Sequence, residues 1–260
     1  MDILVSTPGS PGTSFTDNVK DKIVIIFDVL LSCDDFETVR ALGQELEKYD
    51  INWNYARNIL PFLQNCGLVK YRSNVPIVNK DFFTDLGYAF IDVLKCISIC
   101  DKEENEVEKE IILSELHCIE EVILFQGLVR MMKNKECNYS KDFYDVLRFV
   151  DIYGSIDALE YLLIQHMRDN GNNDYILEMK QIVEDYRSNK IEINVKTKTK
   201  NGDSGEAKSV NSFPYVHGNF AKAGVLEKTD DNKFVLNENR RKEIKAALLE
   251  VEEVWENSAK

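Results

Sequence analysis

The 260-residue chain lacks most of the features that mark a catalytic site. Its three histidines, His117, His166 and His217, are scattered. No serine or cysteine has a partner at the spacing of a nucleophile and its base, and no glycine-rich segment has the form of a phosphate-binding loop. We therefore predict no cofactor and favour a protein without catalytic activity.

The cysteines and the apolar runs also exclude several classes of protein. The six cysteines include no Cys-x-x-Cys pair, so a metal finger is not expected. They lie inside apolar stretches, which is typical of reduced core residues in a cytoplasmic protein. No apolar run is long enough to cross a membrane, and no basic segment precedes the short apolar run at the N-terminus. We therefore expect a cytoplasmic protein without a membrane partner.

Positive charge is scarce in the chain as a whole and concentrated in two segments. With 45 acidic and 32 basic residues the formal charge is −13, which argues against binding nucleic acid by bulk charge. From Asp50 to Lys80, however, four basic residues face one acid, and from Lys190 to Ala223 six lysines face three acids. Each segment has a local net charge of +3. These segments indicate a polyanionic partner, although an acidic surface is also typical of a protein-interaction module.

Hydrophobic spacing between residues 36 and 94 predicts helices separated by a basic hairpin. The predicted elements are a helix at Thr38–Tyr49, a break at Asp50–Asn52, a helix at Trp53–Asn65, a strand at Gly67–Tyr71, a tip at Arg72–Asn74, a strand at Val75–Val78 and a helix from Thr84. This order is typical of a winged helix. In that fold the second helix can enter the major groove of DNA while the hairpin contacts the flanking backbone.

A similar order recurs near the C-terminus. Ser212 can cap a helix at residues 213–223, Gly224–Lys228 is similar in form to Gly67–Lys70, and a hairpin precedes a long last helix. We therefore predict a mainly α fold with short β-hairpins, in which tandem winged-helix modules follow each other and the second carries a helical insertion. The predicted boundaries are a flexible N-terminal arm at 1–19, the first module at 20–104, the second module at 105–260 and the insertion at about 151–209.

Several short motifs resemble the tandem winged-helix DNA-recognition part of type IIS restriction endonucleases. The matching residues are Asn52-Trp53, Leu63 with Gly67-Leu68-Val69-Lys70-Tyr71, Thr84-Asp85-Leu86-Gly87 and Glu108-Lys109-Glu110-Ile111-Ile112-Leu113. The likeness covers roughly residues 25–130, with a looser match at 212–240. The resemblance implies sequence-specific binding of double-stranded DNA, as a regulator or as the recognition component of a restriction or defence system. The family's separate nuclease domain has no counterpart in the chain.

The candidate DNA-binding residues are polar or basic positions on the two predicted reading helices and near the hairpins. Asn and Arg side chains can bond to adenine and guanine edges in two places at once, and lysines can follow phosphates. In the first module the candidates are Asn52, Asn54, Tyr55, Arg57, Asn58, Lys70, Arg72 and Lys80. In and before the second module they are Lys196, Lys198, Lys200, Ser212, Tyr215, His217, Lys222 and Lys228. The first three of these lysines alternate with threonines, as in an extended arm along one phosphate backbone.

Two alternatives remain open on the sequence alone. Winged helices also dock on proteins, so the chain can be an interaction scaffold with a protein partner or a second copy of itself. A metal-dependent nuclease would use an acid followed by a Glu-x-Lys triplet, and Asp185 with Glu206 and Lys208 has that form. Such triplets are expected by chance in so charged a sequence, and we predict no metal site.

Overall fold

The computed structural model describes residues 1–5, 15–72, 75–137, 139–170, 174–199, 202–206 and 212–256. It is mainly helical, with 69% helix and 8% strand, which confirms the predicted mainly α class. The chain divides into two compact units. The first unit is residues 12–130, and the second unit is residues 1–11 together with 131–260. The sequence instead predicts a boundary at 104/105, before the long helix.

The first unit is built from helices that start at polar capping residues. Its helices are α1 (Asp17–Ser32), α2 (Val39–Leu46), α3 (Trp53–Asn65), α4 (Asn79–Phe82), α5 (Asp85–Lys102) and α6 (Glu106–Lys133), with a 3-10 turn at Glu47–Tyr49. Thr16, Thr38, Asn52 and Thr84 each accept a bond from a backbone N–H in the first turn of the helix that follows. The α3 bounds agree with the sequence prediction, and the helix continues through Pro61.

The core of the first unit lies between α1, α2, α3 and α5. Within this core α1 buries Ile23, Ile26 and Leu30. Phe15, just before α1, packs between Phe62 of α3 and Phe90 of α5, with ring centroids 5.0 and 5.2 Å away. Burying large aromatic rings in this way contributes strongly to the hydrophobic core.

The predicted hairpin of the first module does not form as expected. Val69 pairs with Phe83, and Ile77 pairs with Phe36, so the segments 67–71 and 75–78 bond to other partners rather than to each other. Pro76 lacks a backbone N–H, which removes one donor from the predicted returning strand. The chain then makes the short helix α4 before it reaches Phe83. The tip residues 73 and 74 lie outside the described part.

The second unit combines helices with two small sheets. Its elements are β1 (Asp2–Val5), α7 (Ser140–Tyr153), α8 (Ala158–Asn170), α9 (Tyr175–Glu178), α10 (Lys180–Arg187), β2 (Asn194–Thr199), β3 (Gly202–Glu206), α11 (Phe213–Lys222), β4 (Leu226–Lys228), β5 (Phe234–Leu236), a 3-10 turn at Glu238–Arg240 and α12 (Arg241–Glu256). β2 lies between β1, to which it is parallel, and β3, to which it is antiparallel.

The N-terminal residues differ from the predicted flexible arm. Residues 2–5 form β1, in which Ile3 and Val5 are buried. Residues 17–19 belong to α1. The remainder of the predicted arm, 6–14, lies outside the described residues. The apolar alternation in 2–5 is only four residues long, and each residue pairs with one 192 positions later in the sequence, so a local pattern does not reveal it.

The predicted hairpin near the C-terminus does form. β4 and β5 are antiparallel, with Leu226 opposite Leu236 and Lys228 opposite Phe234. Ile156, between α7 and α8, pairs with Phe234 from the other side. In the second unit β5 therefore lies between Ile156 and β4. In the first unit the segment from Ile77 to Phe83 lies between Phe36 and Val69 in the same way.

The two units share one hydrogen-bond pattern, which follows α3 in the first unit and α11 in the second. The Leu68 N–H donates to the Leu63 carbonyl (2.9 Å), and the Val225 N–H donates to the Phe220 carbonyl (2.8 Å). Gly67 and Gly224 end the two helices with φ of +78° and +62°, the left-handed conformation that glycine adopts without strain. The chain therefore leaves α3 and α11 in the same way.

Candidate nucleic-acid interface

α3 buries one apolar stripe and leaves amide side chains exposed. Ala56, Ile59, Leu60 and Leu63 have a relative exposure of 0%, because they recur at spacings of three and four on one face. Asn54 and Asn58 lie on the opposite face and are exposed. Each amide carries a donor and an acceptor, so this face can form paired bonds with a polar ligand edge.

Two of the predicted residues on α3 have other roles. The Asn52 side chain accepts a bond from the Tyr55 N–H at 2.9 Å, so it caps the helix. The Tyr55 hydroxyl is buried and has no hydrogen-bond partner among the described residues, and the Lys22 Nζ lies 3.9 Å from the ring centroid. Burial raises the pKa of Tyr55 to about 12. Neither side chain is presented to a ligand as the sequence predicts.

Beyond the C-terminal end of α3, two cations line a groove of about 460 Å³. Lys70 and Arg72 are both exposed, and within the described part of the chain neither makes an ion pair. Gln64, exposed on the last turn of α3, lines the same groove, together with one carboxylate, Asp81. The groove therefore joins the polar side of α3 to two cations and one carboxylate, a net positive charge. Gln64 was not predicted, although its place in α3 near Lys70 is visible in the sequence.

The loop after α3 is held in place by Thr84 and Gly87. The Thr84 hydroxyl donates to the Gly67 carbonyl at 2.7 Å and accepts from the Gly87 N–H at 3.0 Å. A Cβ atom on Gly87 would lie 2.1 Å from the Leu68 carbonyl oxygen, so only glycine allows this approach. Arg130, which the sequence analysis missed, donates to the Asn65 carbonyl at 2.6 Å. These bonds fix the direction in which residues 67–70 leave α3.

Four predicted contact residues cannot be placed fully. The side chains of Arg57, Lys80 and Lys198 lie outside the described part of the structure, although their backbones belong to α3, α4 and β2. Lys200 lies outside the described residues altogether.

The predicted lysine arm is the middle strand of a sheet. Lys196 lies in β2, between β1 and β3, and its ammonium forms an ion pair with Asp2 at 2.5 Å. The Lys196 bond lowers the pKa of the Asp2 carboxyl. Because β2 is paired on both sides, the prediction of a free extended arm is wrong for Lys196. The backbone pairing on both sides of β2 explains the alternating sequence.

The candidate residues of α11 are mostly engaged within the second unit. Ser212 is buried, and its hydroxyl lies 2.7 Å from the Tyr161 hydroxyl, so it does not cap α11 through its side chain. The His217 ring stacks on Phe234, with centroids 4.0 Å apart. Burial, and then the charge of Lys228, lower the pKa of His217, so its neutral form is favoured. Tyr215, Lys222 and Lys228 are exposed.

The nuclease alternative gains nothing from the described residues. Asp185 Oδ1 accepts bonds from Gln181 and Lys190 at 3.0 and 3.3 Å. Glu206 is known only through its backbone in β3, and Lys208 lies outside the described residues. Among the residues that the structure describes, no group of three or more His, Cys, Asp or Glu side chains could hold a metal ion.

Two further sequence predictions concern the burial of the cysteines and the lack of a membrane-spanning segment. Cys66 and Cys100 are buried, but Cys96 and Cys118 are exposed, so the prediction that all six belong to the core is wrong. Cys96 lies on the outer side of α5 and Cys118 on the outer side of α6. On such a side, apolar neighbours in the sequence do not imply that a residue is buried. Across the described ranges, every helix is too short or too polar to span a bilayer.

Comparisons of the chain with protein-family models, with curated proteins and with solved structures found no match. The resemblance to the restriction-enzyme recognition modules therefore rests on the short motifs alone. The geometry of the two units is therefore the basis for the proposed function.

Proposed function

We propose that the chain binds double-stranded DNA through its first unit, without catalysis. α3 acts as the reading helix, in which Asn58 contacts base edges. Lys70 and Arg72, at the end of the groove, contact the phosphate backbone. Such binding suits a regulator or the recognition component of a restriction or defence system.

The element order supports a winged-helix interpretation of both units. In a winged helix, a short strand after the first helix pairs with the last strand of the hairpin, which also pairs with the strand that follows the third helix. The first unit has this arrangement with only one β-bridge on each side. The segment 77–83 pairs with Phe36 through Ile77 and with Val69 through Phe83. Ile156, β4 and β5 have it with a regular hairpin. Under this interpretation α3 and α11 are the two third helices, which face the groove in DNA-binding members of the class.

One observation carries the proposal: Lys70 and Arg72 are exposed beside an amide-bearing helix face, and neither has an ion-pair partner among the residues that the structure describes. Residues 51–80 contain no acid at all, although the whole chain has a net charge of −13. Cations without ion pairs keep their full attraction for phosphate, since no internal partner has to be displaced. The exposed amides supply the hydrogen-bonding groups that read base edges.

The second unit supports a different role from the one that the sequence suggests. Ser212, His217 and Lys196 are engaged internally, and the β4–β5 hairpin carries Glu227, Asp230 and Asp231. The same hairpin carries Lys228 and Lys233, so its net charge is −1 and it offers phosphates no excess of positive charge. Protein docking through the second unit is therefore the second candidate function.

Equilibrium binding to a randomised duplex library tests the proposal. We expect retention of DNA at low salt, enrichment of one sequence motif, and an affinity that falls linearly on logarithmic axes as salt rises. A chain that retains no duplex even at low salt is not a DNA-binding protein. Retention without motif enrichment would mean that α3 makes no base contacts.

A further inference from the structure

Helix α6 has an apolar stripe between Val107 and Val122 that no described residue of its own unit covers. Residues 106–115 are all described, and none of their side chains is buried; the first buried side chain of the helix is Leu116. The relative exposures of Val107, Ile111 and Val122 are 73%, 60% and 60%. Such exposure at single positions is ordinary, but a group on one helix face indicates an interaction site.

The helical spacing places these side chains in one line. Val107, Ile111, Cys118 and Val122 are separated by four, seven and four residues, which keeps them within about a third of the helix circumference. Cys118 is exposed with the others. We call these four residues the α6 stripe. Its spacing is the one with which an amphipathic helix packs along another helix.

Charge decides which partner fits the α6 stripe. Glu115 borders one side of it and Glu110 the other, and both are exposed. Residues 110–129 contain no lysine or arginine at all. A second copy of this chain would bring carboxylates against carboxylates, which is unfavourable at helix contacts. The surface of an anionic bilayer would be repelled in the same way.

We propose that the α6 stripe binds an amphipathic α-helix of a protein partner, whose apolar face is bordered by Lys or Arg side chains. The apolar side chains of that helix cover Val107, Ile111 and Val122, and its cations pair with Glu110 and Glu115. The interaction is independent of DNA binding, because it uses none of the residues assigned to α3 or the groove.

A designed helical peptide tests this surface on the full-length chain. The probe has about 20 residues, with leucines at heptad positions a and d and lysines at e and g. A scrambled peptide of the same composition measures attraction by charge alone. A peptide with glutamates in place of the lysines tests whether the surface prefers positive charge. We expect the lysine peptide to bind at least tenfold more tightly than either control, and more weakly at about 0.5 M than at about 0.05 M salt.

Exposed substitutions locate the contact without disturbing the fold. Ile111→Ser and Val122→Ser should each weaken peptide binding at least fivefold, whereas Leu249→Ser, at a residue of the second unit that is 61% exposed, should not. The bound peptide should also slow alkylation of Cys118 but not of Cys96, which is exposed on α5. Equal binding of the ordered and scrambled peptides would overturn the proposal. So would a dimer of the chain itself that Ile111→Ser dissociates.

Discussion

The buried carboxylate of Glu160 depends on one arginine for its charge. Its side chain has 0% exposure, and the Arg187 Nε lies 2.6 Å from its Oε1. The same guanidinium donates to the Tyr153 and Ser155 carbonyls at 2.8 and 2.7 Å. Burial raises the pKa of Glu160, while Arg187 opposes that rise. One side chain of α10 therefore holds the start of α8 and the end of α7.

Arg187→Ala should destabilise the chain by about 3–5 kcal/mol, since it leaves a buried charge and two carbonyls without their partner. The free energy of unfolding, measured by urea titration at neutral pH, checks this value. Arg241→Ala is the matched control, because Arg241 pairs with Glu238 on the surface, and its loss should give no measurable change. Equal effects of the two substitutions would contradict the assigned role of Arg187.

The ion pair between Glu160 and Arg187 predicts that the free energy of unfolding depends on pH. Because the folded pKa of Glu160 is raised, its contribution to stability is full below the ordinary glutamate pKa and is lost as the pH rises through the folded value. Without Arg187 the folded pKa should rise further. The stability difference between wild type and Arg187→Ala should therefore shrink as the pH is lowered from neutral. A difference that stays constant down to the ordinary glutamate pKa would mean that Glu160 is not the group left unpaired.

Asn58 is the described residue of α3 whose proposed role is most specific. Asn58→Ala should cost about 1–3 kcal/mol on the preferred duplex and relax the preference at one base pair, because a bidentate contact is lost. Binding-site selection with the variant measures both effects. Gln126→Ala, at an exposed amide of α6 in the same unit, should change neither. A uniform loss across all duplexes would instead place Asn58 on the backbone.

At the scale of elements, the turn between α3 and α5 is the least tolerant of change. Gly87→Ala should destabilise the chain by about 1–3 kcal/mol, because the new Cβ meets the Leu68 carbonyl and displaces the Thr84 cap. Gly218→Ala is the matched control within helix α11, where a Cβ meets nothing within 4 Å. It should stabilise the chain by about 0.5–1 kcal/mol. Thermal unfolding of the two variants gives the comparison, and a neutral Gly87→Ala would contradict the close approach.

Elements with strong local signals could be predicted from the sequence. The bounds of α3 follow from its cap and from the spacing of its buried residues, and the β4–β5 hairpin follows from its turn residues. Long-range pairing could not be predicted. Nothing near Lys196 indicates that β1 and Asp2 lie beside it, and nothing near Val69 indicates that Phe83 replaces the expected strand.

The site was predictable to the extent that it depends on helical periodicity. Asn54 and Asn58 are exposed because their neighbours at spacings of three and four form the buried stripe of α3. Periodicity did not indicate that the Tyr55 hydroxyl turns inwards under Lys22, or that Ser212 bonds to Tyr161. Those positions depend on tertiary neighbours that the local sequence does not contain.

At the scale of the whole molecule, charge separates the proposed functions. A protein of net charge −13 repels DNA at long range, so binding requires local cations that outweigh the acidic remainder. The groove of the first unit supplies Lys70 and Arg72, whereas α6 and the β4–β5 hairpin supply acids. The proposed division is therefore a DNA-binding first unit with acidic surfaces that contact proteins.

The salt dependence of DNA affinity tests the central claim most directly. The slope of log affinity against log salt should fall in magnitude by about two when Lys70 and Arg72 are both changed to alanine, since each phosphate contact contributes about 0.9. Lys196→Ala is the control, because its ammonium is paired with Asp2, and it should leave the slope unchanged. A double variant with the wild-type slope, or a Lys196 variant that lowers it equally, would contradict the assignment of DNA binding to the first unit.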